Sequence, residues 1–138
     1  MGSWLEGSTL ANRIKEEVKE KVAFYLKEKN QTPYLVGILV GEHRASKSYL
    51  RSKKKTCDEL GIRSEIMNFP ENTEANFLRS QIEILGRKED VDGILVQLPL
   101  PPALSTHEMI SSIPPEKDVD GIHPFNLGNL LMNQDGLR

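Results

Sequence analysis

The first forty residues change from a helical to a continuous pattern of apolar positions. After Ser8, which predicts a helix N-cap, apolar residues recur every three or four positions among lysines and glutamates. The recurring residues are Leu10, Ile14, Val18, Val22, Tyr25 and Leu26. This spacing predicts a long amphipathic helix that ends near Asn30. Pro33 then precedes the unbroken apolar run 34–40, which predicts a strand buried on both faces, as in parallel sheets.

Helical and strand patterns alternate through the rest of the chain, with short loops between them. This alternation predicts an α/β fold: a three-layer domain with a mainly parallel sheet flanked by helices. In such folds functional groups gather beyond the carboxyl ends of the strands, here after Val40 and after Gln97. The further predicted elements are a helix over 46–60 stopped by Gly61, a strand over 62–67, a helix over 73–85 capped by Asn72 or Thr73, a strand over 93–97 and a short helix over 125–132.

Length and charge narrow the class of protein. A chain of 138 residues, 38% hydrophobic and 28% charged, predicts one domain spanning residues 1–138. The formal net charge of -2 provides no overall field for nucleic acid or an anionic membrane. No apolar run approaches the roughly 18 residues of a membrane span, and no secretory signal is recognisable. A single cysteine, Cys57, excludes an intrachain disulfide and is compatible with the cytoplasm or the mitochondrial matrix.

A lysine on the second predicted helix occupies an unusual position. Ser46, Tyr49 and Lys53 are three and four residues apart, so they project from one side of the helix. Lys53 also falls in the same stripe as Leu50 and Cys57, which should pack inward. The pattern leaves two interpretations. In one, Lys53 extends its amine to solvent and Tyr49 is a core or interface residue; in the other, the amine serves proton transfer or carbonyl chemistry and Tyr49 orients it or stacks on a flat ligand.

Gln97 is the polar end of an apolar strand. The proline-rich turn that follows it, residues 98–102, would hold its amide in place. Because a polar group at this position needs a partner, the amide is expected either to satisfy a loop carbonyl or to reach an inward amine such as Lys53.

Two aspartates, Asp118 and Asp120, lie near His123 in the last third of the chain. No second histidine or glutamate completes a ligand set and the spacing of a calcium loop is absent, so no metal site is expected. One aspartate is expected to serve a turn or helix cap, and the other to accept hydrogen bonds from a ligand.

The remaining basic residues, histidines and glycines do not predict a specific reaction. Basic residues around the second helix form either a solvated face or a receiver for an acidic ligand tail. Periodicity identifies no serine or cysteine partner for His43 or His107, so no catalytic triad is predicted. No Gly-x-Gly-x-x-Gly motif or phosphate loop occurs. The basic residues are Arg44, Lys47, Arg51, Lys54 and Lys55.

Several segments, in order, resemble the bifunctional methylenetetrahydrofolate dehydrogenase/cyclohydrolase family. The resemblance runs from residue 5 to residue 138, but it matches only the N-terminal catalytic domain of that family. The family's second, Rossmann-type domain, which binds the nicotinamide cofactor, is not matched. The segments are 34–42, 45–53, 92–101, 115–121 and 126–128.

The resemblance implies a folate site. The family oxidises 5,10-methylenetetrahydrofolate with NADP, less often NAD, and hydrates the methenyl product to 10-formyltetrahydrofolate. By motif, Lys53 resembles the catalytic lysine of a Tyr-x-x-x-Lys pair, with Tyr49 beside the folate rings. Gln97 resembles the glutamine that hydrogen-bonds this lysine, and Asp120 the aspartate that anchors the pterin. A supporting polar neighbour and further substrate contacts would be Ser46, Val96 and Leu98.

The resemblance also sets expectations for the chain by itself. A cationic methenyl substrate disfavours a nearby ammonium, so Lys53 would tend toward the neutral amine. Hydride transfer needs a nicotinamide held against the folate, so the chain alone is expected to bind no NADP or NAD and to show no dehydrogenase activity. Cyclohydrolase activity is expected to be weak or absent. The alternative is a non-catalytic folate-binding or interaction module. Family dimers form chiefly through the other domain, so the sequence gives no basis for expecting a dimer here.

Overall fold

A computed structural model describes residues 6–135, in which helices and strands alternate as far as the third strand and only helices follow it. No helix in that range is long and apolar enough to cross a membrane. The 3-10 helix Pro115–Lys117 lies between the last two α-helices. The main elements are α1 (Gly7–Lys29), β1 (Tyr34–Val40), α2 (Arg44–Leu60), β2 (Arg63–Phe69), α3 (Ala75–Arg87), β3 (Gly93–Val96), α4 (Thr106–Ser111) and α5 (Pro124–Leu131).

The three strands form one parallel sheet in the order β2-β1-β3. Leu35 in the central strand lies opposite Ser64 on one side and Gly93 on the other. The predicted α/β fold with a parallel sheet is confirmed. Since all strands run the same way, the loops after β1 and β3 lie at the same edge, where ligands of such sheets bind.

Side chains of the central strand alternate between two apolar layers. Val36, Ile38 and Val40 join a core that includes residues of α3 and α4. Leu39 and Leu95 face the other way and pack with Leu50 of α2. Strand β1 is therefore covered on both faces, which is why it reads as a continuous apolar run.

The helix ends differ from the predicted caps at the N-terminal side. Helix α1 has Glu6, not Ser8, at its N-cap. Helix α3 begins at Ala75 with Glu74 at its N-cap, so neither Asn72 nor Thr73 caps it. The hydroxyl of Thr73 instead donates to the Pro70 carbonyl, 2.6 Å away. A local side chain to backbone bond of this kind competes with helix capping.

The predicted C-terminal ends of α1 and α2 are confirmed. Asn30 and Gly61 both adopt the left-handed conformation, with φ of 52° and 79°. A residue in this conformation ends a helix, and glycine and asparagine adopt it at the lowest cost. Helix α4 was not predicted, because its six residues are too few for a periodic pattern.

Candidate functional site

The inward stripe of α2 contains one lysine. Ser46, Leu50 and Cys57 in this stripe are buried. Lys53 lies in the same stripe but is exposed, and it borders a cavity of about 20 Å³ together with Leu50 and Leu95. Its amine makes no hydrogen bond or ion pair with the residues between 6 and 135. The aliphatic part of Lys53 therefore covers apolar surface, while the amine remains available to a ligand.

A glycine in β1 allows α2 to lie close to the sheet. A Cβ atom on Gly37 would be 3.1 Å from Cδ2 of Leu50, which is tighter than ordinary contact. The missing side chain thus lets Leu50 pack onto the strand, and Lys53, three residues later, is held over the same face.

Gln97 continues β3 by one residue and has a fixed amide orientation. Its backbone N–H donates to the Ile38 carbonyl at 2.9 Å. Its side-chain Nε2 donates to the carbonyl of Leu98 at 3.1 Å. Because a carbonyl can only accept, the amide nitrogen must be on this side. The other atom, Oε1, is buried and has no hydrogen-bond partner in the described part of the chain.

The structure brings Gln97 to the face that Lys53 covers but does not join the two. Side chains alternate along a strand, so Gln97 lies on the same face as Leu95, which packs toward α2. Of the two partners expected for Gln97, the loop carbonyl is the one observed. The unpaired Oε1 is left as an acceptor at this edge of the sheet.

Ser46 has a histidine partner that the sequence analysis missed. Nδ1 of His43 accepts the Ser46 backbone N–H at 3.3 Å and lies 3.2 Å from Ser46 Oγ. His43 is the N-cap of α2. The spacing of a cap to the third residue of a helix is the signal that would have found it. Ser46 is 1% exposed, which leaves it no access to a substrate as a nucleophile.

The two aspartates have different surroundings. Asp118 is 1% exposed, and its Oδ2 accepts the His123 N–H at 2.8 Å and the Asn126 Nδ2 at 3.0 Å. Asp118 is therefore the aspartate that serves the turn. Asp120 is exposed and borders a cavity of about 420 Å³ with Asp92 and Glu116. The cavity beside Asp120 is not bordered by Lys53, so the structure does not place these two candidates in one pocket.

The remaining candidates divide between surface and core. Tyr49 is 63% exposed, which excludes the core position suggested for it. Leu98 is also exposed. Val96 belongs to the core between the sheet and α3, so only its backbone faces the edge of the sheet.

Part of the basic patch is neutralised within the domain. Lys47 pairs with Glu42. Lys54 lies 3.5 Å from the Asp58 carboxylate, and its amine donates to the Ser64 carbonyl at 3.1 Å. These contacts favour the interpretation of a solvated face over that of a receiver for an acidic ligand tail.

Cys57 behaves as a small buried apolar residue, as predicted. It is 8% exposed, and burial, with a smaller effect of Asp58, raises the pKa of its thiol. Both effects disfavour the thiolate, which is the reactive form of a cysteine. Within residues 6–135, no group of three or more metal-ligating side chains lies close enough together to hold an ion.

The fold and this face define a class: a parallel α/β domain with an unpaired amine on the helix that covers one face of the sheet and an unpaired amide oxygen just beyond the end of β3. The family model for the catalytic domain of tetrahydrofolate dehydrogenase/cyclohydrolase matches residues 5–120. The chain belongs to this family.

Individual relatives agree with the family match. The chain is 44% identical over 134 residues to the bifunctional protein FolD of Nitratidesulfovibrio vulgaris, covering 97% of this chain and 46% of that protein. A crystal structure of the Campylobacter jejuni bifunctional enzyme FolD matches with a TM-score of 0.90 at 44% identity, covering 94% of this chain and 46% of that one. A Trypanosoma brucei enzyme, complexed with NADP cofactor and inhibitor, matches with a TM-score of 0.90 at 31% identity, covering 98% and 46%. The chain thus spans about half the length of the relatives it matches.

Proposed function

We propose that this chain is the folate-binding catalytic part of a methylenetetrahydrofolate dehydrogenase/cyclohydrolase. The observation that carries the proposal is the presence, on one face of the sheet, of two groups that are not bonded to each other: the exposed, unpaired amine of Lys53 and the buried, unpaired Oε1 of Gln97. A buried acceptor without a partner is unfavourable unless a ligand or a mobile side chain supplies the donor. The family match makes a one-carbon derivative of tetrahydrofolate the substrate class.

The proton chemistry follows from these two groups. When water adds to the carbon of the 5,10-methenyl cation, a C–O bond forms and the water must lose a proton. The neutral amine of Lys53 accepts that proton as a general base. The ammonium that results can donate to Oε1 of Gln97, which stabilises the charged product of the transfer.

The other proposed contacts hold the folate. The Asp120 carboxylate would accept hydrogen bonds from the donor edge of the pterin. Tyr49 presents an exposed ring on which a flat ligand can stack. Leu98 adds exposed apolar surface at the same edge of the sheet as Gln97.

A nicotinamide cofactor would carry the hydride in the dehydrogenase reaction. The residues present do not fit it, because the sequence contains no glycine fingerprint and no phosphate loop to hold a dinucleotide. We therefore derive no step through the cofactor from this chain.

The proposal is tested by titrating the 138-residue chain with 5,10-methenyltetrahydrofolate and following its hydrolysis. We expect saturable binding, and a slow hydrolysis above a protein-free blank that disappears in Lys53→Met. The rate should be low because a domain with an open edge excludes water poorly. Lys55→Met is the matched control, since Lys55 is an exposed lysine on the same helix outside the inward stripe; it should retain the parent rate.

The outcomes separate the two candidate functions. Binding that weakens in Asp120→Asn, with no hydrolysis that depends on Lys53, would support the non-catalytic folate-binding module instead. An absence of saturable binding would overturn both.

A further inference from the structure

His43 connects two loops at the edge of the sheet that carries the candidate site. It lies in the loop after β1 and caps α2 by accepting the Ser46 N–H at its Nδ1. Caps are most often serine, threonine, aspartate or asparagine, which reach only the backbone. The Nδ1 of His43 also lies 3.2 Å from the Ser46 hydroxyl oxygen. Nδ1 cannot donate to this oxygen while it accepts the backbone N–H, so His43 fixes the backbone of Ser46 and leaves the hydroxyl hydrogen free for another acceptor.

Ser46 passes this constraint to the loop after β3. Its hydroxyl donates to the Leu98 carbonyl at 3.4 Å, a contact between residues 52 positions apart in the chain. The same carbonyl accepts Nε2 of Gln97 at 3.1 Å. One carbonyl oxygen thus receives two side-chain donors, one from the first turn of α2 and one from the end of β3.

The shared carbonyl decides which atom of the Gln97 amide is left free. With Nε2 held by Leu98, Oε1 is the unpaired atom, and it is buried. If the carbonyl moved, the amide could rotate and present its NH₂ group, which would repel an ammonium instead of accepting from it. The orientation of Gln97 therefore depends on contacts that begin at His43.

We propose that His43 is a positioning residue that, through Ser46 and the Leu98 carbonyl, holds Gln97 with its Oε1 free to accept from a cationic donor. The catalytic meaning of this arrangement rests on the proposed function, but the arrangement itself does not. It requires a neutral His43 with its proton on Nε2, because Nδ1 accepts from a backbone N–H. The competing explanation is that His43 only caps the helix.

The test uses the side-chain amide signals of the glutamines in the NMR spectrum of the 138-residue chain, with the Gln97 pair assigned by its loss in Gln97→Leu. His43→Ala and Ser46→Ala should both shift the Gln97 signals and speed their hydrogen exchange by about fivefold, because a Leu98 carbonyl that is no longer held by the Ser46 hydroxyl moves and weakens its hydrogen bond with Nε2 of Gln97. The signals of Gln31 and Gln81 are the internal controls and should not move, because neither residue takes part in the hydrogen bonds that join His43, Ser46 and the Leu98 carbonyl.

The two variants together distinguish a relay from a cap. Ser46→Ala keeps the backbone N–H that donates to His43 and removes only the hydroxyl. A shift of the Gln97 amide signals in this variant therefore requires the hydrogen bond from the Ser46 hydroxyl to the Leu98 carbonyl. The double variant should add nothing to either single variant. Unmoved Gln97 signals in Ser46→Ala, or in a folded His43→Ala, would overturn the proposal. A chain that binds no folate would refute the proposed function and leave this result unaffected.

Discussion

At the scale of single residues, burial separates side chains that the sequence presents as equivalent. Asp118 and Asp120 are two positions apart in the same short motif. The first is buried and accepts two hydrogen bonds, while the second is exposed beside a cavity. Their chemical identity is the same, so the surroundings alone decide which one holds the turn.

This difference predicts a difference in stability. Asp118→Ala should lower the free energy of unfolding by about 1–3 kcal/mol, because it leaves the N–H of His123 without its acceptor in a partly buried place. Asp120→Ala should change it by less than about 0.5 kcal/mol, as exposed substitutions usually do. Urea unfolding of both variants checks this, and equal losses would show that Asp118 does not hold the turn.

At the scale of elements, a cluster of polar and charged side chains stabilises the start of the pairing between β1 and β2. Tyr34 lies opposite Arg63 in the register, and the Arg63 guanidinium is 3.8 Å from the centre of the Tyr34 ring. The Tyr34 hydroxyl donates to Glu65 at 2.6 Å, and Arg63 donates to the same carboxylate at 3.0 Å. The bond from Tyr34, followed by that from Arg63, lowers the pKa of Glu65. The pKa of Tyr34 is raised by burial and then by Glu65.

The lowered pKa of Glu65 predicts how stability varies with pH. A carboxylate whose pKa is lower in the folded state stabilises the fold above its ordinary pKa, and this contribution is lost as the pH falls through the lowered value. Glu65→Gln should therefore be less stable than the parent at neutral pH, and the gap should narrow between roughly pH 5 and pH 3. Thermal unfolding across this range measures it. Tyr34→Phe removes the larger cause of the lowered Glu65 pKa, so in that background Glu65→Gln should lower the stability by less. A difference in stability between Glu65→Gln and the parent that does not vary with pH would contradict the lowered pKa of Glu65.

The helix boundaries show which local signals were sufficient. Asn30 and Gly61 were identified correctly as stops because the left-handed conformation depends mainly on the residue itself. The cap predicted at Ser8 was wrong, since Ser8 lies inside α1. The cap predicted at Asn72 or Thr73 was also wrong, and there the Thr73 hydroxyl bonds to a nearby turn instead. His43 was missed for the converse reason: histidine is an uncommon cap, and only the structure shows its ring at Ser46.

At the scale of the whole molecule, the described residues form a parallel sheet with helices packed on both faces, and the chain matches about half the length of its relatives. The 138 residues alone should reduce neither NADP nor NAD when supplied with 5,10-methylenetetrahydrofolate, because they contain no motif that holds a dinucleotide. Following the appearance of reduced nicotinamide against a protein-free blank checks this. Reduction above the blank that is lost in Lys53→Met would show that the domain holds the cofactor without that motif.

The sequence by itself determined the order of the strands and of the helices other than α4, the parallel sheet and the family. These follow from periodicity, from turn residues and from long motifs, all of which are local in the chain. It also placed Lys53 in the inward stripe of α2, since that depends only on helical spacing.

The tertiary structure decided how distant residues pair. The hydrogen bond from the Ser46 hydroxyl to the Leu98 carbonyl joins residues 52 positions apart, and the burial of Asp118 depends on the packing of separate elements around it. No spacing along the chain encodes these two features, because loop packing sets the distances between residues far apart in sequence.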